Sequence, residues 1–309
     1  MPTVHAVVVA YNRRDLLVEG LAAITQQTRP VDVVHVIDNA SDDGTADAVR
    51  DRFPKVRLHE LPSNTGGAGG FAAGLAFALA DGCDLVWLMD DDTVPRPDAL
   101  AALLDTRERY DGPSPALVAS RVVWTDGRDH PMNSPRSKPG VTADERRAAL
   151  AVGCQPVRSA SFVSVLVEAD AVRAVGLPQA EFFLWNDDFE FTTRLLRHRR
   201  GLVCPASVVE HRTRTFGASE TDPGERFYYE VRNKVWTFTR SGGLSPREKA
   251  LYGGSTLRRW TRTFATSKRR SVLFAGLRHG LVDGVRRGPR SSSTVLADAG
   301  VDIVDPRDA

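Results

Sequence analysis

The chain has 309 residues, 42% hydrophobic and 26% charged, which suits one or two soluble domains with a sizeable core. Its net charge of +2 is unevenly spread: residues 241–290 hold twelve Lys/Arg against two Asp/Glu, while residues 1–240 are mildly acidic. No apolar run approaches the roughly 18 residues of a spanning helix, and the N-terminus enters a strand-like run without a basic leader, so neither an integral membrane protein nor a secreted one is expected.

In chain order, "TVHAVVVAYN" reads as a strand buried on both faces, and "RRDLLVEGLAAITQQ" follows with helical spacing at Leu16, Leu17, Leu21 and Ile24. "VDVVHVIDNAS" predicts a second buried strand, "DGTADAVRDRF" a capped helix and "VRLHEL" a third strand. The glycine-rich "NTGGAGGFAAGLAFALA" leads into a helix, and "CDLVWLM" is a fourth strand. This alternation predicts a mainly parallel sheet with covering helices, whose ligands collect beyond the carboxyl ends of the strands. Tyr11, Asp38, Asn64 and Asp90 all fall at such ends.

Residues 111–160 are weakly periodic, with one short helix expected near Ala143 to Leu150. "SASFVSVLVEADAV" returns to strand and helix, "FFLWNDDFEFTTRLLRHRR" opens a helix at its acidic residues, and "GLVCPASVVEHRT" predicts a strand ending near His211. From Leu244 to about Arg287 the pattern is of basic amphipathic helices, and the residues from "RSSST" onward read as disordered. The three cysteines (Cys83, Cys154, Cys204) form no CxxC pair, which argues against a zinc site or disulfide framework and for a reducing, cytoplasmic setting.

Asp90, Asp91 and Asp92 repel one another, and apolar surroundings raise their free energy unless water or a cation neutralises them. The first and third carboxylates of such a turn can hold Mg2+ or Mn2+ against a ligand's phosphates; the alternative is a solvated, helix-capping turn. Two other chemistries share the spelling. "DDDTV" fits a dehalogenase-type phosphatase nucleophile loop, but three strands precede it here. "GAGGFA" fits a dinucleotide fingerprint, but Pro62 to Thr65 separate it from its strand. Asp187 and Asp188 can cap a helix, or one can act as a general base beside an aromatic platform of Phe182, Phe183 and Trp185. His211 at a strand end is a candidate third metal ligand.

The motifs "VVVAYNR", "VIDNASDDGT", "NTGGAGGF", "WLMDDD", "WNDDFEF" and "VEHR", in this order, resemble family 2 glycosyltransferases of the GT-A fold, an α/β architecture with a Rossmann-like mainly parallel sheet flanked by helices. The glycine-rich stretch just ahead of "WLMDDD" is most similar to actinobacterial galactofuranosyltransferases that build cell-wall galactan. "FYYEVRN" (Phe227 to Asn233) resembles a segment of these and of rhamnosyltransferases. The resemblance implies inverting transfer from a nucleotide-sugar, UDP-galactofuranose, to a lipid-linked or polyprenyl-linked cell-envelope glycan. It places Asp38 on the base, Tyr11 and Asn12 at the edge of that pocket, and Asn64 with Gly66, Gly67, Gly69 and Gly70 along the donor cleft. Asp91 and Trp185 fall in the same cleft. Asp90, Asp92 and His211 would hold a divalent cation, Mn2+ or Mg2+. Asp188 would be the base, with Asp187 the other candidate because Asn186 interrupts the usual spacing. The alternatives are a rhamnosyltransferase using dTDP-rhamnose and, from another class, a phosphatase or a non-catalytic sugar-nucleotide-binding module.

The expected organisation is a catalytic domain over 1–240, a basic amphipathic region over 241–290 and a disordered tail over 291–309. The basic region suits peripheral contact with an anionic inner leaflet, with Trp260 and Phe264 inserting, and no nucleic-acid partner is expected.

Overall fold

The structure, a computed structural model, describes residues 1–216 and 222–307. Strands β1 (Val4–Ala10), β2 (Val33–Asp38), β3 (Arg57–Glu60) and β4 (Leu85–Asp90) alternate with helices α1 (Arg14–Thr25), α2 (Thr45–Arg52) and α3 (Gly66–Ala80). These strands pair in parallel in the order β3-β2-β1-β4, as the alternation predicts. β1 is buried along its whole length, so its side chains feed two cores: Val7 and Val9 on one face, Val4, Ala6, Val8 and Ala10 on the other.

The second half of the sheet is mixed. It contains β5 (Thr93–Pro95), β6 (Pro115–Val123), β7 (Arg136–Ser137), β8 (Gln155–Ser159), β9 (Val165–Glu168) and β10 (Arg200–His211). The full order is β3-β2-β1-β4-β9-β6-β10-β8-β7, with β5 pairing β10 off this path. β9 lies antiparallel between β4 and β6. Helices α4 (Ala99–Arg109), α5 (Ala143–Ala151), α6 (Ala169–Val175) and α7 (Asp187–Leu195) accompany these strands. The nine-residue β6 lies in the stretch that shows little periodicity in the sequence. It is buried almost throughout, on both faces, which removes the alternation that would have marked it.

Two sets of glycines act through close packing. A Cβ on Gly70 would fall 2.5 Å from Val9 Cγ1, and one on Gly74 2.3 Å from Val7 Cγ1, so the missing side chains let α3 lie against β1. In the C-terminal region, α8 (Phe227–Thr239), α9 (Pro246–Thr266) and α10 (Arg270–Arg286) pack together. Gly276, Gly280 and Gly284 recur at helical spacing on α10 and admit α8; a Cβ at Gly280 would meet Tyr228 O and Val231 Cβ at 2.8 Å each.

Two expectations about this region are corrected. Trp260 and Phe264 do not project outward: they are partly buried against Phe227, Val231 and Leu273, and Trp260 Nε1 donates to Glu230. Nor is the tail after residue 290 disordered up to residue 307. It forms α11 (Ser292–Asp298), capped by Ser291, with Leu296 and Val301 in the main core and Ser292 hydrogen-bonded to Pro178 O and Ala180 N. Leu296 within the helix and Val301 just beyond it are both buried, which holds this short segment in place despite its polar flanks. The last two residues lie outside the description. No helix among the described residues is long and apolar enough to cross a membrane.

The glycine geometry gives a paired prediction. Gly280→Ala overpacks the α8–α10 contact and should lower unfolding stability by about 1–3 kcal/mol in denaturant titration. The same change at Gly253 of α9, where a Cβ meets nothing within 4 Å, should be neutral or stabilise by up to about 1 kcal/mol.

Candidate active site

β4 delivers Asp90 at its carboxyl end, and the chain then turns through Asp91 and Asp92 into β5. β5 runs antiparallel to the end of β10, with Thr93 opposite His211. That pairing brings His211 beside the aspartates. Its Nε2 lies 2.9 Å from Asp92 Oδ1, yet the two are not aligned as a hydrogen bond, and Oδ1 stays buried without a donor. Asp90, Asp92 and His211 each present a ligand atom, all within 4.8 Å of one another. The other face of the ring is fixed, since His211 Nδ1 donates to Asn133 Oδ1 at 2.8 Å and Asn133 Nδ2 donates to Ser161. An imidazole anchored at Nδ1, with Nε2 and an orphaned carboxylate oxygen converging on one point, suits a divalent cation.

Asp91 points elsewhere. Its oxygens accept from Tyr11 N (3.0 Å) and from Arg13 (3.3 Å), which ties the β1–α1 turn to the acidic turn. Arg13 also pairs with Asp92. It is a residue the sequence reading passed over, because nothing local links it to aspartates some eighty positions away.

The electrostatics follow from crowding. Burial, then the Asp92 charge, pushes the Asp90 carboxyl up to about 6, and burial pushes Asp91 to about 7. Burial alone would raise Asp92 too, but the neighbouring His211 and Arg13 outweigh it and hold this carboxyl below the usual range. Burial followed by the Asp188 charge raises Asp187 well above a normal carboxyl. Burial also raises Asp188, opposed by the Phe189 N–H, Lys234 and Arg136. Asp188 contributes to the shift at Asp90, so the two acidic groups share one field.

Asp188 lines a cleft of about 260 Å³ together with Asn133, Arg136, Ser161, Asn186 and Lys234. Asp187 is more deeply buried and does not line it. The Lys234 ammonium is buried over the Phe189 ring at 4.2 Å, and desolvation brings its pKa down to about 8.

The loop leading to these aspartates is strained. Phe183, Trp185 and Asn186 all have positive φ, a conformation costing about 1–3 kcal/mol per residue unless its surroundings impose it. The surroundings do. Asn233 Nδ2 donates to the carbonyls of Phe182, Leu184 and Trp185, and Arg232 donates to those of Glu181 and Phe182. From the other side Ala68 N donates to Phe183 O, and Gly66 is obligatory because a Cβ there would lie 2.0 Å from that oxygen. The "RN" of "FYYEVRN" is therefore a clamp on the loop. The expected aromatic platform is reduced: Phe182 is buried against Trp236, Phe183 stacks half-buried on Tyr229, and only Trp185 is exposed.

The remaining expected residues form a rim at the strand ends. Tyr11 is exposed, Asn12 bonds Ser41 and Asp42, and buried Asp38 accepts from Ser41 N. Asn64 accepts from Gly66 N. Asn39, which the sequence reading did not single out, binds Thr65 N through Oδ1 and Gly66 O through Nδ2, joining the end of β2 to the glycine turn. Of the glycines only Gly67 is exposed. Gly69 and Gly70 are buried, where a Cβ would meet Thr65 and Val9 respectively.

The family model for glycosyl transferase family 2 matches residues 5–162. Over 262 residues the chain is 33% identical to galactofuranosyltransferase GlfT1 of Mycobacterium tuberculosis, spanning 78% of this chain and 83% of that protein. In fold it is similar to S. aureus TarS in complex with UDP-GlcNAc, with a TM-score of 0.63 at 16% identity over 96% of this chain and 87% of the other. It is also similar to mannosyltransferase PcManGT from Pyrobaculum calidifontis in complex with GDP-Man and Mn2+, with a TM-score of 0.53 at 20% identity over 97% and 79%. The mixed sheet, the acidic turn at the end of β4 and these likenesses lead to one conclusion: the chain belongs to glycosyl transferase family 2 and is a glycosyltransferase of the GT-A fold.

Proposed function

We propose that the protein transfers galactofuranose from UDP-galactofuranose, with inversion, to a hydroxyl of a lipid-linked or cell-envelope glycan. The similarity to mycobacterial GlfT1 across most of the chain supports the sugar. The observation that carries the chemistry is that Asp90, Asp92 and His211 gather at one wall of the site while Asp188 lines the adjoining cleft within the same field.

Asp90, Asp92 and His211 would hold the cation, Mn2+ or Mg2+, and the fold neighbour PcManGT carries Mn2+. Bound there, a divalent ion supplies Lewis-acid stabilisation for the departing diphosphate. The rim of Tyr11, Asn12, Asp38 and Asn64 takes the nucleoside end of the donor, and Trp185 offers a ring face to the sugar. Asp188 accepts the proton of the acceptor hydroxyl as its oxygen attacks the anomeric carbon and the bond to the diphosphate breaks on the opposite face. Asp187 is the weaker candidate for that role, because it is buried away from the cleft that Asp188 lines. Burial raises the Asp188 carboxyl while the Phe189 N–H, Lys234 and Arg136 oppose the rise, a balance that suits a group exchanging a proton.

The C-terminal helices support placement on the inner face of an anionic membrane. Phe274, Leu281 and Val285 of α10, with Leu251 and Leu257 of α9, are exposed among Arg258, Lys268, Arg270 and Arg278. These apolar side chains replace Trp260 and Phe264 as the ones that insert.

Three outcomes test this reading. Asp188→Asn should retain Mn2+-dependent UDP binding by calorimetry while kcat falls roughly 100- to 10,000-fold; unaltered turnover would assign the base elsewhere. Lys234→Met removes a charge that lowers the Asp188 pKa, so that pKa rises and the acidic limb of kcat/KM should move to higher pH. Co-sedimentation with vesicles should require anionic lipid and weaken with salt, each basic residue at the surface adding about 1 kcal/mol; equal binding to neutral vesicles in high salt would defeat the electrostatic placement.

A further inference from the structure

We propose that His5, His35 and Asp81 form a second metal site, for an ion of the zinc class, at the amino-terminal edge of the sheet. Val9 lies level with Asp90 across the β1–β4 pairing, and four residues at about 3.3 Å each put His5 roughly 13 Å from the acidic turn. The new site therefore shares no residue with the cleft.

Two strands and the end of one helix build it. His5 of β1 and His35 of β2 are buried on the α3 side, and Asp81 is the residue that ends α3. His5 Nδ1 lies 3.1 Å from His35 Nε2, and His35 Nε2 lies 3.4 Å from Asp81 Oδ2. All three ligand atoms fall within 4.8 Å of one another. Four ligands arranged tetrahedrally at the usual Zn–N and Zn–O distances of about 2.0–2.1 Å stand about 3.3 Å apart, so two of the three separations already match. Two imidazoles and one carboxylate form a set that favours Zn2+ or Co2+ over Mg2+ or Mn2+.

The surroundings supply what such a site needs. His35 Nδ1 lies 3.1 Å from His59 Nε2, so His59 can accept the Nδ1 proton and leave Nε2 free to ligate. His59 is itself stacked on Phe77, with ring centroids 4.3 Å apart. The carboxyl end of the fifteen-residue α3 faces the site, and its carbonyls favour a cation. Asp81 stands at the exposed rim, which gives an entry path and room for a water as fourth ligand.

At present a cation already occupies the rim. Arg57 pairs with Asp81, and its half-exposed side chain is free to swing into solvent when a metal takes its place. Binding needs no net loss of protons. The proton between His5 Nδ1 and His35 Nε2 moves to His5 Nε2, while His35 keeps its proton on Nδ1 towards His59, so each ring stays neutral with a single N–H.

The test uses the full chain carrying Asp92→Asn and His211→Ala, which silence the acidic turn. Zn2+ calorimetry and the visible absorption of Co2+ should then report one site, tighter than the isolated exposed His198 and His279 could provide. In that background Asp81→Asn should weaken Zn2+ at least about 100-fold and abolish the tetrahedral Co2+ bands. Arg57→Ala should tighten it several-fold by removing the competing charge. His35 is a core residue, so circular dichroism and a melting curve accompany His35→Gln, while the rim variants carry the test if it does not fold. A double variant that takes up no Zn2+, or a Zn2+ affinity indifferent to both Asp81→Asn and Arg57→Ala, would overturn the proposal. Displacement of Zn2+ by millimolar Mn2+ would do so as well.

Discussion

Three carboxylates at the end of a buried strand are the constraint around which this molecule is arranged. Asp90, Asp91 and Asp92 leave β4 together, and each would be driven towards protonation by burial and by the others. The fold meets this by converging opposite charge and hydrogen-bond donors from distant places: Arg13 from the β1–α1 turn, the Tyr11 N–H, and His211 from the end of β10. One oxygen of Asp92 is still left without a donor, and Asp90 stays shifted upward. That residual imbalance supports the cation proposed for this site. A fully satisfied cluster would have been a structural ion-pair network and nothing more.

A second constraint lies across the cleft. The carboxylate proposed as the base stands at the head of α7, after a loop that is held in unfavourable backbone geometry. Asn233 and Arg232 fasten this loop from α8, and Gly66 and Ala68 fasten it from α3. The glycine turn and the loop leading to Asp188 are thus joined through Phe183 O. One shared contact therefore positions the glycine turn and this loop relative to each other.

The basic C-terminal helices belong to the same arrangement. α8 carries the clamp residues and Lys234 on the face towards the cleft, and it receives the glycine stripe of α10 on another. α11 then returns to the main core through Leu296. The face proposed for an anionic bilayer is in this way packed against α8, whose Arg232 and Asn233 hold the loop before Asp188.

The parallel β3-β2-β1-β4 half, the helices around it and the acidic residues at the strand ends were legible in the amino-acid order, because each depends on a local pattern: a continuous apolar run, a helical period, a like-charge cluster beside an apolar strand. Legible too was the identity of the residues that now converge, Asp90, Asp92, His211 and Asp188. Their partners were not. Arg13, Asn39, Asn133 and Lys234 lie in ordinary local contexts, and their roles arise only when strand pairing, above all β5 against β10, brings distant segments into contact. The close approach of α3 to β1 at Gly70 was likewise invisible in the sequence. The sequence alone determined which chemistry the chain can support, since that resides in residue types and their local spacing. Only the tertiary structure decided which carboxylate faces the cleft, because burial and charge at a point are sums over neighbours that the linear order does not hold.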